Sequence, residues 1–302
     1  MLSGARLPTE DRRHSPYLVK TEQEQPLSYQ VLLTEKETVP QVFAALHRCQ
    51  ADVVDLNLGC PAPTIRKAGG GSSLMEEPER VRAIVRCARK HTALPLTAKI
   101  RLGESLNAEK LRDFCLMLEG EGIDMLTVHA RLRREPFTRR PRWEWIAKVK
   151  EWISIPVVAN GSIDSPVSAR LCLQESGADG LMIGRQAAIH PWIFAELARD
   201  IYQCPLAQPE VCLPQVYSQF AMALEERFQT DRRLGRLKEF THYFAKNYFF
   251  GHHLASKVQS ATTLPSAWAY AQEFFAANDQ AAWTQAQANL VPPAYQLARG
   301  GL

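Results

Sequence analysis

The sequence predicts an α/β fold, a parallel sheet covered by helices, followed by a smaller all-helical domain. Three observations predict it. Short apolar strands alternate with amphipathic helices from Leu27 to about Tyr202. The strands carry polar or special residues at their C-terminal ends. After the linker Cys204-Pro-Leu-Ala-Gln-Pro209 the strands stop while helical periodicity continues. Such a sheet is either a barrel or doubly wound. Six strands can be counted, so a (β/α)₈ barrel would lack about two units at its front.

Residues 1–26 are polar, punctuated by Pro8, Pro16 and Pro26, and are expected to form a loop. Residues 27–33 form the first strand, and Thr34 or Thr38 caps a helix running to about Gln50. Residues 53–58 form the second strand, interrupted by Asp55 and Asn57, which a buried strand tolerates only with partners. A helix follows over 77–90, with Val81, Ile84, Val85 and Ala88 on one face. The next units are a strand at 96–101 and a helix at 108–121 ended by Gly122, then a strand at 125–130 and a helix at 143–152. A strand at 155–160 leads to a helix opened by Ser165 as cap and Pro166 in its first turn. The last strand spans 179–184 and its helix 192–202; four more helices are expected at 211–228, 233–250, 267–277 and 281–290.

Composition narrows the function classes. A 46% hydrophobic content supports a sizeable core, and a net charge of +4 is compatible with a polyanionic partner. Seven cysteines, widely spaced and without a C-x-x-C pair, argue against a disulfide framework and against a metal site, and fit a reducing cytoplasm. The start has no signal-peptide core, and no apolar run is long enough to span a bilayer, so no membrane partner is expected.

The candidate site begins at Val53-Val-Asp-Leu-Asn-Leu-Gly-Cys-Pro61, with Gly69-Gly-Gly-Ser-Ser73 close behind. Gly59 allows a sharp turn and Pro61 constrains the chain beyond it, which holds Cys60 at the mouth of a strand end. A lone cysteine is more often a small core residue. Here the other strand ends add Gln30, Asn57, Lys99, Arg101, His129, Asn160-Gly161 and Gly184-Arg185. In parallel barrels that face carries the active site. Polar groups at successive strand ends are poorly explained as packing, because each is penalised by desolvation if unpaired. Asn160-Gly-Ser162 and Gly184-Arg185 follow the last two strands, where barrels often bind phosphate, so a phosphate-bearing cofactor is expected.

These motifs resemble the tRNA-dihydrouridine synthases. The resemblance rests on Asp55-Leu-Asn-Leu-Gly-Cys-Pro61, Ala68-Gly-Gly-Gly-Ser-Ser-Leu-Met75, Ala98-Lys-Ile-Arg101, Thr127-Val-His-Ala-Arg131, Ile155-Pro-Val-Val-Ala-Asn-Gly161, Ala178-Asp-Gly-Leu-Met-Ile-Gly-Arg185 and Pro191-Trp-Ile-Phe194. They occur in family order from about 27 to 200. The resemblance implies an FMN-binding (β/α)8 TIM barrel, N-terminally incomplete here, over 1–203, and a helical tRNA-binding domain over 204–302. It implies Cys60 as catalytic acid, and Gln30, Lys99 and His129 against FMN. Asn160, Gly161, Ser162, Gly184 and Arg185 would hold the phosphate end, and Asn57 and Arg101 would line the substrate pocket. Reduction of the uracil C5–C6 bond needs a hydride at C6 and a proton at C5; the cofactor supplies the first, and a thiol, mostly protonated at neutral pH, can supply the second. NADPH is the implied reductant and tRNA the implied partner, with a cytoplasmic monomer expected.

RNA contact is expected from Arg131, Arg133, Arg134, Arg139, Arg140 and Arg142, and from Arg227, Arg232, Arg233, Arg236 and Lys238. Phe137, Trp143 and Trp145 are expected to pack against helices. The sequence departs from the family pattern in lacking its Ala-Pro-Met and Thr-Glu strands, which suggests a truncated form or a misassigned start. Ala130 also replaces a glycine, and the loop over 133–142 differs. Two other readings compete: an FMN-barrel oxidoreductase acting on a small molecule, and a non-catalytic RNA-binding remnant.

Overall fold

The computed structural model describes residues 1–10, 15–208 and 210–278. Contacts divide the chain into Met1–Gly184 and Arg185–Leu302. The first unit is built on one sheet of seven strands, all parallel and adjacent in chain order. They are β1 (Leu2–Ser3), β2 (Ser28–Leu32), β3 (Val53–Asn57), β4 (Leu96–Arg101), β5 (Met125–His129), β6 (Val157–Asn160) and β7 (Gly180–Met182). Among the described residues β1 and β7 each have one neighbour, so the sheet is open along those edges. The predicted parallel α/β class, short of eight strands, is the observed one.

The expectation of six strands is corrected by β1. Leu2 pairs with Val31 and Ser3 with Leu32, and the Gly4 amide donates to the Leu32 carbonyl at 2.9 Å. A two-residue strand has no periodicity to read, and Gly4 sits where an added Cβ would be 2.7 Å from that carbonyl. The stretch beyond it is also more than loop: Leu7 and Leu18 are buried, and Tyr29 donates its hydroxyl proton to the Leu18 carbonyl at 3.2 Å.

The strand faces explain the sequence pattern. Val54, Leu56, Ala98, Ile100, Leu126, Val128, Val157 and Ala159 are fully or almost fully buried and alternate with a second set. That second set is Asp55, Asn57, Thr97, Lys99, Arg101, Thr127, His129, Val158 and Asn160. The first set packs under the helices, each of its valine, leucine and isoleucine side chains contributing about 1.5–3 kcal/mol of burial. The second faces the inside of the sheet, where a barrel that only needed filling would carry branched apolar residues.

The intervening helices end where local chemistry dictates. Helix Pro166–Ser176 starts at a Ser165–Ser168 capping box and stops at Gly177, φ +59°. Helix Ala108–Gly120 is capped by the Asn107 side chain, which accepts from the Lys110 amide at 2.9 Å, and the chain leaves it through Gly122, φ +94°. Helices Val39–Arg48, Pro78–Lys90 and Glu144–Trp152 lie within the predicted spans.

The second unit is helical throughout its described part: Arg185–Ile189, Ile193–Asp200, Leu213–Arg227, Thr230–Phe244, Gly251–Ser260 and Leu264–Ala277. Tyr217, Leu237, Phe244, Leu254, Val258, Ala267 and Ala271 form its core. The helix predicted over 233–250 ends at Phe244, and beyond that span a further, unpredicted helix, Gly251–Ser260, begins with Gly251 packed directly on Ala245. A Cβ on Gly251 would overlap the Ala245 carbonyl oxygen at 1.7 Å. The helix predicted at 281–290 lies outside the described residues.

Candidate active site

Cross-strand register stacks the inward residues in layers. Gln30, Asp55 and Thr97 are paired neighbours; above them stand Asn57, Lys99 and Thr127, and above those Arg101, His129 and Asn160. The structure therefore brings together Gln30, Asn57, Lys99, Arg101, His129 and Asn160, with Cys60 on the turn above Asn57. Gly184 follows β7 and is exposed. Arg185 is exposed and opens helix Arg185–Ile189 of the second unit.

The Cys60 turn is held on both sides. Its amide and that of Gly59 donate to Asn57 Oδ1 at 2.9 and 3.2 Å, and its carbonyl accepts from the Ser72 amide at 3.0 Å. The thiol is free and partly exposed. Behind it lies Gly71, φ +60°, where an added Cβ would be 2.6 Å from the Cys60 carbonyl oxygen and 3.1 Å from the Cys60 Cβ. The glycine run is thus the backing of the cysteine turn. Gly71→Ala should lower stability by about 2 kcal/mol, from left-handed backbone strain alone; the shift of the urea midpoint measures it.

Asn57 is oriented in turn. Its Nδ2 donates to Gln30 Oε1 at 2.7 Å, and Gln30 Nε2 donates to Asp55 Oδ2 at 2.6 Å. Thr97 Oγ1 donates to the other Asp55 oxygen at 2.6 Å. Burial pushes the Asp55 carboxyl up from its ordinary value, opposed by these hydrogen bonds and by the charge of Lys99. Burial also pushes Lys99 down, to about 8, with the Arg101 guanidinium adding repulsion. Arg101 is lowered by burial; its Nε donates to the Gly59 carbonyl at 3.1 Å and Nη1 to the Leu132 carbonyl at 2.9 Å. Thr127 Oγ1 is buried with no partner among the described residues.

Arg131 corrects an expectation. Predicted to meet RNA, it is 1% exposed. It donates to the carbonyls of Phe137 (3.0 Å) and Arg139 (2.9 Å) and to Ser162 Oγ at 2.8 Å. Its Nη1 lies 3.1 Å from His129 Nε2. A guanidinium can only donate, so His129 accepts at Nε2 and, when neutral, carries its proton on Nδ1. Arg133 is also buried, paired with Glu104. Arg142 and Arg139 pair with Glu135, at 2.5 and 3.4 Å, and Arg140 with Glu175 at 2.5 Å. Arg139 and Arg142 thus pair within their own loop, Arg133 and Arg140 pair outside it, and Arg139 and Arg140 keep most of their side chains exposed. Phe137, expected in helix packing, is 51% exposed. It stacks on the His129 ring, centroids 6.0 Å apart, and sits 5.7 Å from the Arg101 guanidinium carbon. Trp143 is buried, and its Nε1 donates to the Gly161 carbonyl at 3.1 Å.

After β6, Gly161 (φ +122°) and Ser162 (φ +51°) form a tight turn. Their amides make no hydrogen bond among the described residues, which leaves two N–H groups available to an anion. Asn160 Nδ2 donates one of its protons to the Met182 carbonyl of β7 at 2.8 Å. A separate cleft of about 490 Å³ involves Pro78, Leu102, Leu111, Phe114 and Met117 and contains none of the predicted site residues. Among the described residues there is no cluster of three or more potential metal ligands, and no helix is long and apolar enough to cross a membrane.

The model of the family described as dihydrouridine synthase (Dus) matches residues 1–289. The chain belongs to the dihydrouridine synthase family. It is similar to the probable tRNA-dihydrouridine synthase 1 of Synechocystis sp., 38% identical over 174 residues, covering 58% of this chain and 49% of the relative. The tRNA-dihydrouridine synthase B of Klebsiella pneumoniae is 38% identical over 164 residues, 53% of this chain and 51% of the relative. That of Xanthomonas axonopodis is 39% identical over 177 residues, 57% and 52%. The chain spans about half the length of the curated relatives it matches.

Proposed function

We propose that this chain acts as a tRNA-dihydrouridine synthase, reducing the C5–C6 bond of a tRNA uridine, with FMN as cofactor and NADPH as reductant. The observation that carries the reading is the Cys60 turn, fixed through Asn57 at the rim of an inward layer of Gln30, Lys99, Arg101 and His129. When bound, FMN supplies the hydride. The residues fit such a group. Thr127 Oγ1 is a buried hydroxyl without a partner among the described residues, and Lys99 is a half-buried cation with no hydrogen bond among them. The amides of Gly161 and Ser162 suit a phosphate, with Gly184 and Arg185 as further candidates.

Gln30, Lys99 and His129 would hold the cofactor, while Asn57 and Arg101 would line the uracil pocket. Cys60 holds the proton for C5 of uracil. Asn57, by fixing the Cys60 amide, sets where that thiol stands. The division into a catalytic part, 1–203, and a tRNA-gripping helical part, 204–302, belongs to the same reading, as do a cytoplasmic location and a monomeric state.

The test is the visible spectrum of the purified chain folded with FMN, followed by mass-spectrometric counting of dihydrouridine in unmodified tRNA after addition of NADPH. A flavin spectrum and a mass gain at a uridine are expected. A protein that binds flavin but leaves tRNA unchanged, or that binds none, overturns the reading.

A further inference from the structure

A cavity of about 250 Å³ is lined by Pro63, Arg66, Lys67, Ser73 and Arg133. Its walls come from segments tied to the Cys60 turn. The short helix Pro63–Lys67 starts just beyond Cys60 and carries Arg66 and Lys67. The glycine run folds back on that helix: the Gly69 amide donates to the Arg66 carbonyl at 2.9 Å and the Gly70 amide to the Ile65 carbonyl at 3.1 Å. Arg133 follows Leu132, and Arg101 joins the two sides by donating to the Gly59 carbonyl at 3.1 Å and the Leu132 carbonyl at 2.9 Å.

No acidic residue lines this cavity. Lys67 is exposed and Arg66 half-buried, and neither makes a hydrogen bond or an ion pair among the described residues. Arg133 is buried; Glu104 pairs with its Nη2, while its Nε–H has no partner among the described residues. Orphaned buried donors are rare in native proteins and commonly mark a water or an ion. The Glu104 carboxyl is held below its ordinary value first by Arg133, and the charges of Arg134 and Arg66 add to this, so both of those face the same place. Arg66, Lys67, Arg133 and Arg134 thus gather against a single carboxylate, and such a surplus of like charge is relieved by an anion. The cavity is smaller than the roughly 300–1,000 Å³ that enclose a whole small molecule, so it suits one group of a larger one. From this geometry we infer that the cavity takes a backbone phosphate of the RNA whose uridine meets Cys60, with Arg66 and Lys67 reaching the phosphate and Arg133 charging the wall behind it. The inference rests on the reading of the chain as acting on tRNA. A phosphate held there fixes the strand beside the turn while carrying no sequence information, which is what delivering an extruded base to Cys60 requires.

The test is binding of an unmodified tRNA transcript to the full chain over a series of KCl concentrations. The double variant Arg66→Gln, Lys67→Gln changes no buried residue, so the fold should be kept. It should bind tRNA about tenfold more weakly than the parent, with a salt slope shallower by roughly 0.7–0.9, the loss of one phosphate contact. Lys90→Gln removes an exposed cation at the end of helix Pro78–Lys90 and should leave affinity and slope as in the parent, which controls for net charge. The double variant should bind FMN like the parent, because the flavin phosphate is assigned to the Gly161 and Ser162 amides. Phosphate-ethylation interference should mark a phosphate beside one uridine in the parent and lose that mark in the double variant. Equal affinity and slope in parent and double variant overturn the inference. So does a loss matched by Lys90→Gln, a loss of FMN binding in place of tRNA binding, or an unchanged interference pattern. Binding does not depend on turnover, so a parent that binds tRNA but reduces no uridine sinks the proposed function and leaves this result readable. A parent that reduces uridine equally well without Arg66 and Lys67 sinks the inference alone.

Discussion

Cys60→Ala should reduce the rate of uridine reduction by roughly 10²–10⁴-fold, the range for loss of a positioned general acid. The structure makes this a clean substitution. Both hydrogen bonds that fix the residue come from its backbone, the amide to Asn57 Oδ1 and the carbonyl from Ser72. The thiol is partly exposed, so its removal leaves only a small cavity. The turn, flavin binding and tRNA binding should therefore survive while proton delivery to C5 does not. The measurement is a single turnover of the pre-reduced enzyme with excess tRNA, followed by flavin reoxidation and by dihydrouridine content. Cys60→Ser should recover little, since a hydroxyl is a far weaker acid than a thiol. A rate within about tenfold of the parent would remove Cys60 from the acid's role and turn attention to another donor.

What could be read from the sequence, and what could not, follows from the range of the interactions. Helix ends were legible because caps are local: Ser165 with Pro166, and Gly122 after the helix ending at Gly120, act within one turn. The strands were legible because their helix-facing residues are apolar. The Cys60 turn was legible because Gly59 and Pro61 limit the backbone on either side of it. The partners of Asp55 were not, since Gln30 and Thr97 lie 25 and 42 residues away and meet it only through register. Arg131 was misread for the same reason. A charge run looks solvated until its loop folds back, and here two carbonyls, Ser162 and His129 surround that guanidinium. β1 escaped because its identity comes from pairing with β2, with no pattern of its own.

The residue expected to matter most to the cofactor is also expected to burden the fold. Lys99 sits inside the sheet, and burial, with the repulsion of Arg101, brings it from its ordinary 10.5 to about 8; Asp55 and Cys60 only partly oppose this. Below pH 8 the native and unfolded chains both carry the proton, so the penalty of burying the charge is fully present. Between 8 and 10.5 the unfolded chain binds a proton that the native chain has released, so stability rises with pH. Above that window both forms are neutral and the penalty is gone. Lys99→Met replaces the side chain with an unbranched one only a single heavy atom shorter and removes the charge. It should therefore be more stable than the parent at pH 7, by up to roughly 3 kcal/mol. That advantage should shrink as pH climbs from 8 toward 10.5. Urea unfolding of both chains without flavin, at pH 7 and again near the top of the window, measures it. The same variant should lose flavin affinity. A gain in stability with a loss of binding is the pattern of a charge kept for a ligand, because a lysine serving only the core would have no reason to be there. A Lys99→Met chain that is less stable than the parent at pH 7 would mean that Asp55 compensates the ammonium more fully than burial penalises it, and that Lys99 belongs to the architecture of the sheet.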